Sequence, residues 1–126
     1  MRIKERPGPG EYRYLRFAWK KSGGSNVMLQ LHANGNWGPL LGAEGPSYRY
    51  LAGQPRTDVK AVQISEDLPS EWVVVTRDLF ADFGEFELDG IALTPGDGEA
   101  AWFDHIYLAR EKSDLDHLPA TTSVND

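Results

Sequence analysis

The chain contains no cysteine. Disulfides, thiol nucleophiles and cysteine-ligated metals are therefore excluded, while the compartment stays open, because a domain with enough core needs no disulfide in an oxidising space. No apolar run approaches the roughly 20 residues of a membrane-spanning helix. The opening segment, MRIKERPGPGEYRY, carries no apolar stretch of the kind a signal sequence needs. Basic charge is also scarce. The chain has 13 Lys and Arg against 19 Asp and Glu, a net charge of −6, which is the wrong sign for a nucleic-acid partner or an anionic membrane surface. Internal repeats and heptads are missing, and only one short segment has helical spacing.

What remains suits a single globular domain. At 126 residues, with 40% hydrophobic and 11% aromatic content, the chain can fill a two-layer core. Residues 1–10 are charged and then broken by Pro and Gly, which predicts an N-terminal arm. Residues 12–21 alternate, with Leu15, Phe17 and Trp19 on one face and Tyr14, Arg16, Ala18 and Lys20 on the other, the pattern of a half-buried strand. After the turn SGGSN, Val27, Leu29 and Leu31 alternate with Met28, Gln30 and His32. The two runs predict an antiparallel hairpin, although a five-residue connection allows other pairings. Residues 34–46 (NGNWGPLLGAEGP) form a loop that displays Trp37. Short strands follow at 47–53, with Tyr48 and Tyr50 opposite Arg49 and Leu51, and at 60–65, with Val62 and Ile64 inward and Gln63 outward.

The stretch 71–110 organises the rest. It holds three strand-like runs, 72–77, 86–94 and 102–110, and the one helix-like piece, DLFADFGE. There Asp78 suits an N-cap, Leu79, Phe80 and Phe83 supply apolar anchors, and Gly84 suits the close. Asp89-Gly90 interrupts the apolar set of the middle run as a tight bend or bulge would. In the last run Asp104, Ile106 and Leu108 share a face if alternation is unbroken. A carboxylate in phase with aliphatics must be satisfied, which makes Asp104 a structural pivot or a ligand. Residues 111–126 lack periodicity and read as a linker or tail. The expectation is an all-β, two-sheet antiparallel sandwich of jelly-roll type over 11–110, with one or two short helical turns. Trp72, Val74, Leu88, Ile91, Leu93, Ile106 and Leu108 are expected in its core beside the inward residues already named.

The runs Trp72-x-Val74-x-Thr76, Asp78-Leu79-Phe80, Leu88-Asp89-Gly90-Ile91-Ala92-Leu93 and Phe103-Asp104-x-Ile106-Tyr107-Leu108 resemble the jelly-roll domains of the galactose-binding-like superfamily, which includes many carbohydrate-binding modules. RYLRFAWKKSGGSNVMLQL, SYRYLAGQ and EWVVVTRDLFADFGEFELDGIALT resemble an accessory domain of large planctomycete multidomain proteins. Those proteins often carry c-type cytochrome modules, so the resemblance implies an extracytoplasmic setting. No haem-attachment motif is present, and any electron transfer would belong to a neighbouring module. The resemblance further implies a structural calcium near the final strand, with Asp104 at the matching position and Glu11 as a loose match for a second acidic ligand.

On the residues themselves, the non-core positions of the early strands are the candidate ligand face. Arg16, Gln30, His32, Tyr48, Tyr50 and Gln63, with Trp37 at a rim, combine aromatic rings with planar hydrogen-bonding groups, and a sugar needs both. The same residues also suit the solvated face of an antiparallel sheet. Catalysis has little support: His32, His105 and His117 are dispersed, no nucleophile elbow or phosphate loop occurs, and Glu85 and Glu87 read as a solvated acidic pair. The sequence therefore implies a non-catalytic accessory module, for which the expected partner is a polysaccharide. The alternative is a structural domain that docks on neighbouring domains of a longer protein. No cofactor is expected beyond a structural calcium.

Overall fold

A computed structural model describes residues 1–40 and 42–117. Its elements are β1 (Arg2–Ile3), β2 (Glu11–Tyr12), β3 (Tyr14–Ser22), β4 (Asn26–Ala33), β5 (Arg49–Gly53), β6 (Val62–Ser65), β7 (Val73–Asp78), helix α1 (Leu79–Phe83), β8 (Phe86–Thr94), β9 (Ala100–Ala109) and a 3-10 turn over Lys112–His117. A six-stranded sheet, ordered β2-β1-β8-β4-β5-β6, faces a three-stranded sheet, β7-β3-β9. The chain is an all-β two-sheet sandwich. Most neighbours are antiparallel, while β1–β2 and β5–β6 run parallel.

The core lies between the sheets. Leu15, Phe17, Trp19 and Val75 come from the smaller sheet, and Val27, Leu29, Leu31, Tyr50, Phe86 and Leu88 from the larger. Phe17 packs edge-on against Trp19 at 5.0 Å between ring centroids. Helix α1 closes one end as its sequence requires: Asp78 Oδ1 accepts the Ala81 amide at 3.0 Å, Leu79 and Phe83 are buried, and Gly84, at φ 80°, donates its amide to Phe80 O. Arg13 holds the same Asp78 carboxylate with two bonds of 3.0 and 2.8 Å, which ties the helix cap to the chain before β3.

Several sequence expectations need correction. The hairpin of β3 with β4 does not form: β3 pairs with β7 and β9, and β4 with β5 and β8. Alternating bulky residues fit two inner faces opposed across a core as well as two neighbours in one sheet. Gly23 and Gly24, at φ 68° and 85°, let the chain cross between sheets, and a Cβ on Gly24 would collide with the Asp97 carbonyl. That crossing is fastened. Lys21 is buried, and its ammonium donates to Pro95 O at 2.6 Å and to Asp97 O, while the Asp97 carboxylate accepts the Ser25 amide at 2.7 Å and its hydroxyl at 2.9 Å.

Residues 1–10 are no loose arm. Arg2 and Ile3 pair with Glu87 and Phe86 of β8, and Ile3 is fully buried. In β7 the phase is one residue off the expectation: Val75 lies opposite Phe17 and faces in, whereas Val74 is exposed. Three consecutive valines give alternation nothing to choose by. Trp72 lies outside the strand and is half-buried. In β9 a bulge with His105 at φ 48° breaks the alternation opposite Phe17, so Asp104 pairs with Ala18, not in phase with Leu108, and Ile106 is exposed. Leu93 is likewise 42% exposed, although its partner Leu29 is fully buried. The 3-10 turn buries Leu115 and lies in the segment expected to be a tail, whose residues 118–126 fall outside the described ones.

Candidate functional site

The structure separates the expected ligand-face residues into three groups. Tyr48 and Tyr50 turn inward, against the expectation. The Tyr48 ring meets Phe83 at 5.4 Å and Phe86 at 5.0 Å, and the Tyr50 ring is fully buried against Phe17 and Phe83. A tyrosine is apolar enough to take a core position when its hydroxyl finds a partner. Here the Tyr50 hydroxyl donates to Asp82 Oδ2 at 2.5 Å, and Arg77 grips the same carboxylate with bonds of 2.9 and 2.8 Å. Burial, then the bond to Asp82 and its charge, push the Tyr50 hydroxyl far above the ordinary tyrosine range.

Arg16 lies on the outer face of the three-stranded sheet, opposite Thr76 and Tyr107 and remote from the rest of the set. Gln63 is exposed on β6 and donates to Gly53 O at 2.8 Å. The third group does assemble. His32 and Trp37 meet on the outer face of the six-stranded sheet, with Gln30 on the same face.

That site is built by a turn. Asn34 and Gly35, at φ 53° and 82°, make a two-residue reversal closed by Ala33 and Asn36, whose amides donate to each other's carbonyls at 2.8 and 3.0 Å. Asn-Gly is the sequence such a turn favours, because both central residues need positive φ. The reversal returns the chain along β4 and sets Trp37 against His32, with ring centroids 4.8 Å apart at 64°. Trp37 is left 50% exposed.

Opposite His32 stands Gly90, where the absence of a side chain leaves the sheet surface flat beside the imidazole. The register shift next to it lets Asp89 bulge outward. The Asp89 carboxylate accepts the Gly35 amide at 2.7 Å and lies 3.7 Å from His32 Nδ1.

Arg49 holds the platform down. It is 4% exposed, and its guanidinium donates to Gln30 Oε1 at 2.9 Å, Gly38 O at 2.7 Å, Pro39 O at 2.7 Å and Lys60 O at 3.2 Å. Burial lowers its pKa from the ordinary guanidinium value, with Asp58 acting in the opposite direction. Gln30 completes the tie by donating to Thr94 Oγ1 at 2.8 Å. Gln30 therefore positions the loop, while Trp37, His32 and Asp89 present a ring face, an imidazole and a carboxylate outward.

Asp104 and Glu11, the two acidic residues expected at a calcium ion, are not brought together, since they belong to different sheets. Glu11 Oε1 accepts the Gly8 amide at 2.9 Å and its Oε2 pairs with Lys4, while Asp104 Oδ1 accepts the His105 amide at 2.8 Å and so supports the bulge. Among the described residues no group of three or more His, Asp or Glu converges as a metal site. Glu85 and Glu87, the acidic pair of the sequence, are engaged by Arg2 and the Met1 amine. Trp102 lies half-exposed at the start of β9 with the Lys20 ammonium 5.6 Å from its ring centre.

Three features of the site are not evident from the sequence. Asn34-Gly35 is a hairpin signal, but it sits in a segment whose scattered Asn, Gly and Pro read as loop. Asp89-Gly90 reads as a bend or bulge, but the sequence does not show what the Asp89 carboxylate reaches. Arg49 carried no signal, because an arginine beside an apolar residue is ordinarily solvated. No family model matches the chain, and no curated protein and no solved structure matches it either.

Proposed function

We propose that the chain is a non-catalytic β-sandwich module that binds carbohydrate on the outer face of its six-stranded sheet, at Trp37, His32 and Asp89. The observation that carries the reading is the half-exposed Trp37 indole, fixed edge-on to His32 by a closed turn and beside an outward carboxylate. An apolar ring face next to fixed polar groups matches the C–H face and hydroxyls of a pyranose. The turn and the Arg49 tether order the platform before any ligand arrives, which lowers the entropic cost of binding. The resemblance to galactose-binding-like modules supports the same reading. One stacked ring and two polar groups imply a weak site, with Kd on the order of micromolar to millimolar.

The test is affinity electrophoresis of wild type and Trp37→Ala in gels containing a panel of soluble neutral and acidic polysaccharides. At least one polysaccharide should retard the wild type, and Trp37→Ala, which melts normally, should migrate freely. Equal retardation of both proteins, or none of the wild type, rejects the site.

A second reading, docking on a neighbouring domain, rests on the exposure of Val74 and Trp102 along the smaller sheet. Retained polysaccharide binding by Val74→Lys, set against its loss in Trp37→Ala, distinguishes the two.

A further inference from the structure

The groups that the Trp37 site turns outward differ in kind from those that hold its loop. The guanidinium, amide and ammonium donors of this face are committed to the protein. Arg49 donates to Gln30 Oε1 and to the Gly38, Pro39 and Lys60 carbonyls. Gln30 Nε2 donates to Thr94 Oγ1 at 2.8 Å, and Asn36 Nδ2 to Asn34 O at 3.3 Å. The Lys60 ammonium donates to Ala43 O and Gly45 O at 3.0 and 2.8 Å. The cations that could grip an acidic sugar are therefore spent on the loop itself.

An acceptor and two rings are presented outward. The Asp89 carboxylate gives one oxygen, Oδ2, to the Gly35 amide at 2.7 Å, and its side chain stays 34% exposed. It lies 3.7 Å from His32 Nδ1, and the Trp37 ring meets the same imidazole at 4.8 Å between centroids. Indole and carboxylate are thus neighbours of one side chain. Gly90, opposite His32, adds no side chain to the sheet surface there.

Charge decides among sugars at such a site. A uronate or sulfate would set an anion against Asp89 in a chain of net charge −6. A neutral hydroxyl can donate to the carboxylate but gains no attraction between charges. An ammonium brings three donors and no acceptor, pairs with the carboxylate, and is attracted to the face of an indole more than to any other aromatic ring.

We infer, on the basis of the carbohydrate site proposed above, that its ligand is an amino sugar with a free, charged amine, as in a glucosamine polymer. The C–H face of the pyranose covers Trp37, and the amine lies between the indole and Asp89. Acetylation of that amine removes its charge and two of its three donors, so the site separates a deacetylated polymer from its acetylated parent.

The test is an NMR titration of the full chain at low salt and near-neutral pH, read at the Trp37 indole N–H. The ligands are a short glucosamine oligomer, its N-acetylated counterpart and a galacturonate oligomer of the same length. The wild type should bind the glucosamine oligomer about tenfold more tightly than the acetylated one, and the galacturonate oligomer most weakly. Added salt should narrow that preference. Asp89→Asn keeps an oxygen for the Gly35 amide and removes the charge, and it should bring the first two ligands within about twofold of each other. A preference that survives Asp89→Asn comes from the overall charge of the chain and overturns the inference. So does a wild type that binds the acetylated or the galacturonate oligomer as tightly as the glucosamine oligomer, or binds none of the three. In the first two cases, loss of all binding in Trp37→Ala leaves the carbohydrate site standing without its amine preference. Binding by Trp37→Ala equal to that of the wild type overturns both.

Discussion

Replacing Arg49 with methionine removes the guanidinium and keeps most of its unbranched stem. The wild-type group makes four hydrogen bonds of 2.7–3.2 Å from a residue 4% exposed. A hydrogen bond to a charged group contributes about 1.5–3 kcal/mol, but the sum is not the cost of the change. Gly38, Pro39 and Lys60 are half-buried, so their carbonyls regain water once the loop relaxes, and the penalty of burying the cation disappears with it. The Gln30 side-chain oxygen, which lies in the sheet surface, loses its donor at a cost of about 1–3 kcal/mol. The net expectation is about 2–4 kcal/mol of lost stability by urea denaturation. Amide exchange should accelerate over residues 36–40, because the anchor of the Trp37 loop is gone. In the Arg49→Met background, Gln30→Met should cost less than it does alone, by about 1 kcal/mol, since it removes the orphaned oxygen. A loss under about 0.5 kcal/mol, or unchanged exchange over the loop, refutes the view that Arg49 holds the platform.

Three further outcomes follow from the packing. Lys21→Met should destabilise by about 2–4 kcal/mol in chemical denaturation, because the Pro95 and Asp97 carbonyls lose a buried cation and the crossing between sheets loses its clasp. Tyr50→Phe should cost about 1–2 kcal/mol through loss of the bond to Asp82. Because the folded-state pKa of Tyr50 is raised, its contribution is fully present below about pH 10 and is lost progressively as pH rises above that value, a decline that Tyr50→Phe should lessen in alkaline melts. Asp78 behaves in the opposite sense. Burial raises its pKa, but the Arg13 bond and the Ala81 amide outweigh burial and hold it below the ordinary carboxylate value. Its stabilisation is therefore present above about pH 4 and lost as pH falls below it, and Asp78→Asn should flatten the acid limb of the melting curve.

The sandwich was legible because period-two alternation in β3, β4 and β8 states which side chains cannot remain in water. The helix was legible through its own ends, Asp78 and Gly84. Pairing was not, since alternation records burial and is silent on which strand lies alongside; β3 and β4 satisfy it from opposite sheets. Phase failed where composition was even-handed. Val73 to Val75 offer three equal candidates, and Tyr48 and Tyr50 against Arg49 and Leu51 set amphipathic rings against one charge and one aliphatic. Tertiary contacts decided both cases: Phe17 selects Val75, and Asp82 with Arg77 accommodates the Tyr50 hydroxyl inside. The shared face expected of Asp104, Ile106 and Leu108 is broken because a single positive φ, at His105, resets the alternation, while Asp104 still accepts a backbone amide as a structural pivot does. Of the candidate site, the aromatic in the Asn/Gly loop and the histidine on β4 were readable residue by residue. Their meeting depends on the Asn34-Gly35 reversal and on a buried arginine, both of which act through the folded backbone.

The most direct test of the carbohydrate reading is a two-dimensional NMR titration of the labelled chain with a polysaccharide that retards it. The Trp37 indole N–H and the amides of His32, Gly35, Asp89 and Gly90 should shift together and saturably, while the amides of β7 and β9 stay in place. Shifts confined to Val74, Trp102 and their neighbours, with Trp37 unmoved, would contradict it.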